Sequence, residues 1–279
     1  MRGRRALARW HHGEPRSAAI GAAAVFRRKT ACWLTCDAQR CASHATDGGQ
    51  VARKQSPARG RVVLIASPKG GVGKSSLCRS LLVSAARQGI RCLGVDLDPQ
   101  QTLTKWHARR ERVRQTYPEC SEVPVLAVPL ADWRAALKET GNVDLLVIDT
   151  PPSIEAQYGA TLSLCAAADI VLVPTGATQD DVDSVTPWMR TLTGADIRSS
   201  FVLNRANRRV RSYEAIRTKL LQVGALCPVE IPLLEDIHVS AGKGLAVPDF
   251  VKAKAAETFD ALWAYVVREA GIRVPAKAA

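Results

Sequence analysis

The chain has 279 residues, 47% of them hydrophobic, with 19 Gly, 15 Pro and 8 Cys. That length supports a sizeable core in one large domain or two small ones. The composition excludes a disulfide-stapled miniprotein, a collagen-like chain and a wholly disordered one, and no apolar run reaches the roughly 18 residues of a membrane-spanning helix. The formal charge of +13 is uneven: residues 1–61 hold 13 Lys/Arg against 3 Asp/Glu, the remainder 26 against 23. The high basicity therefore belongs mostly to the N-terminal stretch and is not by itself a nucleic-acid footprint on the folded part.

Residues 1–60 show no sustained period of 2 or 3.6 and are rich in Arg, Ala, Gly and Ser. They read as a basic, disordered extension; an Arg-rich, acid-poor targeting peptide fits loosely. Cys32, Cys36, Cys41 and His44 resemble a zinc ligand set, but the spacing matches no common finger and the flanks offer little apolar material to pack. The stretch is too short and aperiodic for a helix-turn-helix domain. Cys78, Cys92, Cys120, Cys165 and Cys227 sit in apolar surroundings and read as small buried hydrophobes in a reducing compartment.

From residue 61 short apolar runs alternate with helical patterns. The apolar run 61–66 predicts a buried strand. After a Gly-rich turn, 75–88 places Leu77, Leu81, Leu82 and Ala85 on one helical face, with Gly89 suited to the C-terminal cap. A second strand is predicted at 91–96, a polar helix at 101–114, a third strand at 123–128 and a short helix at 131–139. The fourth strand is 144–148, followed by a helix at 154–168, a strand at 170–173, a helix at 181–192, a strand at 200–203, a helix at 212–223 and a short last strand at 228–231. In the closing helix, 251–270, Phe259, Leu262, Trp263, Val266 and Val267 form a stripe that reads as core packing. Fully apolar strands alternating with helices predict an α/β, doubly wound, mostly parallel sheet with helices on both faces, over 61–275.

Residues 67–76 read SPKGGVGKSS between the first strand and the first helix. Gly70, Gly71 and Gly73 let the backbone turn tightly with its N–H groups inward, and Val72 lies among them. Lys74 can reach phosphates, Ser75 can offer a hydroxyl to Mg²⁺, and Ser76 occupies the first helical turn where phosphate is favoured. The generic phosphate-loop pattern asks for Gly where this chain has Pro68. Asp149 ends the run LLVI, where a strand tip places a carboxylate beside a Mg²⁺ shell. Asp96 and Asp98, in VDLDPQ, alternate along an extended segment, so both can face the crevice at the carboxyl ends of the strands; Asp96 is a further candidate metal ligand.

KGGVGKSS, VDLDPQ and VIDTPPS in this order resemble the ParA/MinD family of deviant Walker-type ATPases. The resemblance implies ATP and Mg²⁺ as cofactors and an ATP-state homodimer with two sandwiched nucleotides. It implies that Lys69 reaches the partner subunit's nucleotide, that Lys74 binds phosphates in cis and that Asp98 polarises the attacking water. Thr150, Pro151 and Pro152 match the switch that senses the γ-phosphate. A lysine donated in trans couples nucleotide state to assembly.

After the sixth strand the chain reads Asn204-Arg205-Ala206-Asn207. A guanine site usually ends in a carboxylate that accepts from the base, and none is present, which favours adenine. Asn204 either meets the adenine edge or serves as a turn residue. Arg205, Arg208, Arg209, Arg211, Arg217 and Lys219 fall within 15 residues holding one acid, Glu214. Such a cluster can neutralise DNA phosphates without reading bases, or be a solvated helix face and loop. The run Arg109, Arg110, Arg112 and Arg114, mixed with Glu111, reads as a solvated face. The tail 271–279 lacks the bulk of a membrane-binding amphipathic helix. The expected protein is a cytoplasmic, nucleoid-associated partition ATPase that binds non-specific DNA and answers to a ParB-like or other activating partner, with no membrane contact. The alternative is a nucleotide-switched assembly factor acting through protein contacts.

Overall fold

In the computed structural model the described residues are 59–152, 157–250 and 253–275, within the unit Gln55–Ala279. Seven strands form one sheet in the order β3-β2-β4-β1-β5-β6-β7, and every pairing is parallel. They are β1 Arg61–Ile65, β2 Cys92–Asp96, β3 Val125–Ala127, β4 Leu145–Asp149, β5 Ile170–Thr175, β6 Ser199–Ala206 and β7 Ile231–Pro232. The helices are α1 Lys74–Arg87, α2 Thr102–Thr116, α3 Trp133–Leu137, α4 Tyr158–Ala167, α5 Gln179–Gly194, α6 Tyr213–Val223, α7 Glu235–Gly242 and α8 Ala256–Ala270.

Successive residues of β1 face opposite sides of the sheet, and each side has its own core. Val63 and Ile65 pack with Leu77, Leu81, Trp106, Phe259 and Trp263. Val62 and Leu64 pack with Trp133, Leu164, Trp188, Phe201 and Ile216. A strand buried on both faces must be apolar throughout, which is why 61–66 reads as an unbroken run. The stripe of the closing helix is core: Phe259, Leu262, Trp263 and Val266 are buried, and Val267 is half-buried against them.

The order of the strands makes the site. From β1 the chain moves outward to β2 and β3, returns to insert β4 between β1 and β2, then crosses to β5 on the other side of β1. The carboxyl ends of β1 and β4 therefore lie side by side, where such sheets open a crevice. Register sets Ile65 opposite Asp149 and Asp96 opposite Asp149.

Several boundaries differ from the sequence reading. The third strand shrinks to Val125–Ala127 and the last shifts to Ile231–Pro232. The sixth lengthens to Ser199–Ala206, with a register shift between Asn204 and Ala206 and Arg205 at φ 55. Helix α7 has no counterpart in the reading. At the end of α1 the expected cap is present: Gly89 (φ +74) donates to Ala86 O and Ile90 N–H to Ala85 O, the paired bonds of a Schellman motif. Of the five cysteines among the described residues, Cys78, Cys92, Cys165 and Cys227 are buried, Cys120 is half-buried, and none is in a disulfide. Cys32, Cys36, Cys41 and His44, and the expected disorder of the N-terminal stretch, lie outside the described residues.

Candidate functional site

The loop between β1 and α1 is built as its glycines require. Gly71 and Gly73 hold φ of 72 and 95, and Gly73 caps α1. A Cβ at Gly73 would fall on the Asn204 amide, so that glycine serves both conformation and close approach. Lys74 is buried and folds back on the loop, its Nζ donating to Ser67 O at 3.2 Å and Lys69 O at 3.0 Å. Burial lowers its pKa, while Asp149 and Asp98 raise it. Ser75 and Ser76 follow in the first turn of α1, both half-buried. Ser76 Oγ accepts from Arg79 at 2.7 Å.

Asp149 is buried at the tip of β4, and neither of its carboxylate oxygens has a hydrogen-bond partner. Burial pushes its pKa up to about 7. The neighbouring Ser75 hydroxyl favours the charged form without completing a bond, Asp96 raises the pKa, Lys74 lowers it and Asp98 raises it. An orphaned buried carboxylate beside a hydroxyl and an ammonium is an incomplete electrostatic site. A hard divalent cation, ligated by oxygen and by phosphate, fits it; Ser75 and Asp149 would hold Mg²⁺.

Asp96 differs from Asp149 in that both its oxygens accept hydrogen bonds within the protein. Its Oδ1 accepts the Asp98 N–H at 3.2 Å, and its Oδ2 accepts the Thr104 N–H at 2.8 Å and hydroxyl at 2.9 Å. Thr104 lies in the first turn of α2, where backbone N–H groups lack helical partners. Asp96 thus anchors the turn that presents Asp98 and starts α2. Asp98 is half-buried, and its Oδ1 accepts the Gln100 N–H at 2.9 Å. With Asp96, Pro151 and Pro152 it lines a cavity of about 570 Å³. Thr150 is buried and donates its hydroxyl to Ile65 O at 2.9 Å, tying the tip of β4 to that of β1. A Cβ at Gly70 would lie 3.8 Å from Pro152, so the expected switch abuts the phosphate loop.

Asn204 is buried, and both ends of its amide are engaged. Nδ2 donates to Val72 O at 2.7 Å, and Oδ1 accepts the Arg205 N–H at 2.9 Å. These bonds make Asn204 a brace between β6 and the phosphate loop. A cavity of about 770 Å³ lies on the same side, bounded by Lys69, Gly70 and Val72 on one wall and by Asn207, Ser212 and Tyr213 on another.

Lys69 has a partner on its own subunit: its ammonium pairs with Asp181 at the start of α5. The basic cluster after β6 is only partly unpaired. Glu230 takes Arg208 at 2.8 Å and Arg217 at 3.3 Å, and Lys219 donates to Gln179. Arg205, Arg209 and Arg211 are exposed and have no ion pair among the described residues. The other arginine run is not the solvated face expected of it. Arg110 is fully buried over the Trp106 ring and bidentate to Asp249 at 2.9 and 3.0 Å. Arg109 donates to Ala241 O, and Arg114 pairs with Glu111 and Glu122.

Sequence reasoning missed Asp181, Glu230 and Arg79. Thr178-x-x-Asp181 carries a visible cap signal, and Thr178 does cap α5 by accepting the Asp181 N–H. The partners of Glu230, and the Ile237 carbonyl that Arg79 holds, lie on other elements and leave no local pattern.

The family model described as "CobQ/CobB/MinD/ParA nucleotide binding domain" matches residues 63–247. Among curated relatives, the Maintenance of carboxysome distribution protein A of Gloeobacter kilaueensis is 31% identical over 121 residues, covering 41% of this chain and 49% of that protein. The Chromosome-partitioning ATPase Soj of Thermus thermophilus is 31% identical over 159 residues, covering 48% and 62%. The matches thus span about half to three-fifths of those relatives. Among solved structures, the MinC:MinD cell division protein complex of Aquifex aeolicus is similar at TM-score 0.61 and 18% identity, covering 78% of this chain and 98% of that one. MinD of Pyrococcus horikoshii with Mg-ADP is similar at TM-score 0.59 and 21% identity, covering 78% and 99%. Taken with the phosphate loop, the strand-tip aspartates and the strand order, the family match over most of the folded unit means that the chain belongs to the CobQ/CobB/MinD/ParA nucleotide-binding domain family.

Proposed function

We propose that this chain is a ParA-type ATPase that binds MgATP, dimerises in the ATP state and positions a cargo on non-specific DNA, answering to an activating partner. The observation that carries the ATPase reading is the orphaned Asp149 carboxylate beside Ser75 and Lys74, next to a loop whose Gly71 and Gly73 adopt positive φ. Bound Mg²⁺ would supply charge neutralisation between the phosphates. Lys74 would contact the phosphates once it leaves the Ser67 and Lys69 carbonyls, and the Asn204 brace would keep the loop open to receive them. Asp98 would accept a hydrogen bond from the attacking water. Pro151 and Pro152, which share a cavity with Asp98, would report the γ-phosphate to the α4 side. Residues 61–275 would be the ATPase domain and 1–60 a dispensable extension. The curated relatives named for partition or carboxysome distribution support a positioning role, and no helix among the described residues is long and apolar enough to cross a membrane.

A second reading, nucleotide-switched assembly through protein contacts without DNA, is favoured by Glu230. By pairing Arg208 and Arg217 it removes two charges from the surface available to phosphates. Sedimentation with random duplex at rising salt, with ATP and with ADP, separates the two. Partition predicts ATP-dependent binding that weakens steeply with salt. Hydrolysis and ATP-dependent dimerisation with no DNA binding at low salt would select the assembly reading, and absence of ATP binding would end both.

A further inference from the structure

Lys69 is the residue expected to act across the dimer, yet in this structure it is committed at home. Its ammonium pairs with Asp181 Oδ1, with the two side chains 35% and 12% exposed. Asp181 is itself held in place. The Thr178 hydroxyl donates to Oδ2 at 2.7 Å, the Asp181 N–H bonds back to Thr178 Oγ1 at 3.2 Å, and Gly176 leaves the space that a Cβ would take from the carboxylate. Lys69 and Asp181 both line the 770 Å³ cavity beside the phosphate loop.

We propose that Asp181 is a positioning residue that holds Lys69 in cis and competes with the partner subunit's nucleotide for its ammonium, so that dimer formation exchanges one ion pair for another. The inference rests on the proposed trans role of Lys69. Two costs oppose the departure of the lysine. A carboxylate that is mostly buried is left without its cation, which is more costly than losing an exposed pair. That carboxylate also faces the cavity in which a nucleotide would place further negative charge. Both costs are moderate, because Lys69 is a third exposed and solvent screens its charge. The latch is therefore strong enough to hold an empty subunit and weak enough for a polyphosphate to outcompete. The acid favours its charged state in this setting: burial pushes the Asp181 pKa up, but hydrogen bonds from Lys69 and Thr178 and the Lys69 charge bring it below the usual carboxylate range.

Asp181→Asn keeps the size of the side chain and its bond to Thr178 while removing the charge. With a non-hydrolysable ATP analogue on the full chain, sedimentation should show dimerisation at a protein concentration roughly 3–10-fold lower than wild type. A residue that merely supports the fold would move dimerisation the other way when altered. In the nucleotide-free chain, acylation of Lys69 followed by mass spectrometry should run several-fold faster in Asp181→Asn. Thr178→Ala, which loosens Asp181 without neutralising it, should shift both readouts in the same direction by less, and it serves as the test if Asp181→Asn folds poorly. Unchanged acylation would remove the cis pair. Faster acylation with unchanged or weaker dimerisation would show that the pair forms but does not oppose assembly. Failure of wild type and variants alike to dimerise with the analogue would instead remove the trans role of Lys69, and the exchange with it.

Discussion

A carboxylate at a strand tip is legible as a residue but not as a state. The apolar run that Asp149 closes marks it as a site residue, whereas its lack of any hydrogen-bond partner emerges only when β1, β2 and β4 come together. The consequence is a pH dependence of unusual sign. Burial raises the Asp149 pKa to about 7, so between the usual carboxylate range and pH 7 the folded state binds the extra proton. Stability from this group is greatest at low pH and is lost as pH rises through 7. Nucleotide-free Asp149→Asn should melt roughly 5 °C above wild type at pH 8 and close to it at about pH 4, below most of the titration, as checked by calorimetry at both pH values. The same substitution should remove Mg²⁺-dependent nucleotide affinity. Lys74→Ala should lower ATP affinity at least about 100-fold by removing charge from the phosphates, measured by calorimetric titration; affinity near wild type would contradict the assignment. Asp96 and Asn204 mark where single-residue reading stops: their types suit a metal or a base, and the bracing contacts they make with Thr104 and Val72 emerge only from the fold.

Elements with strong periodicity were readable and those fixed by remote partners were not. Strands β1, β4 and β5 and helix α1 are buried along most of their length, so their apolar patterns are long and continuous. Helix α7 has eight residues, two acids in its first turn and only Ile237 and Ser240 buried. What fixes it is a grip on its carbonyls, Arg79 donating to Ile237 O and Arg109 to Ala241 O, and no window of local sequence contains those donors. Helix α2 shows the reverse error. A run of arginines suggests a solvated face, but the spacing Leu103, Trp106, Arg110 sets one guanidinium on the core side. Arg110→Ala leaves Asp249 unpaired and should cost about 3 kcal/mol. Arg112→Ala, on the exposed side of the same helix, should stay within about 0.5 kcal/mol. Denaturant unfolding of the two variants checks the contrast, and equal losses would mean that the buried pair contributes nothing specific.

At the scale of the molecule the doubly wound topology follows from alternation alone, since fully apolar strands separated by helices demand cover on both faces. Charge distribution does not follow so easily, because a cluster in sequence need not be a cluster of free charge. Of the six cations read as a DNA surface, Arg208 and Arg217 are spoken for by Glu230, which lies 13 residues beyond the nearer of them. The electrostatic test should therefore target Arg205, exposed at the end of β6 beside the Asn204 brace, and Arg209 and Arg211, exposed on the loop that follows. Each phosphate neutralised releases counterions at roughly −0.9 in the log–log salt slope. A two-fold dimer presents its cations twice on one particle, so ATP should turn weak binding into stable binding by avidity. Replacing the three with Glu should abolish binding to random duplex and leave ATP binding and dimerisation intact. Replacing Arg208 alone should do much less, because its charge is already compensated, and Glu230→Gln should steepen the wild-type slope by freeing two arginines. The measurement is duplex affinity against salt, with ATP and with ADP. An Arg208 variant as defective as the triple variant, or a Glu230→Gln slope no steeper than wild type, would show that the ion pairs seen in the single subunit do not govern what the surface presents to a polyanion.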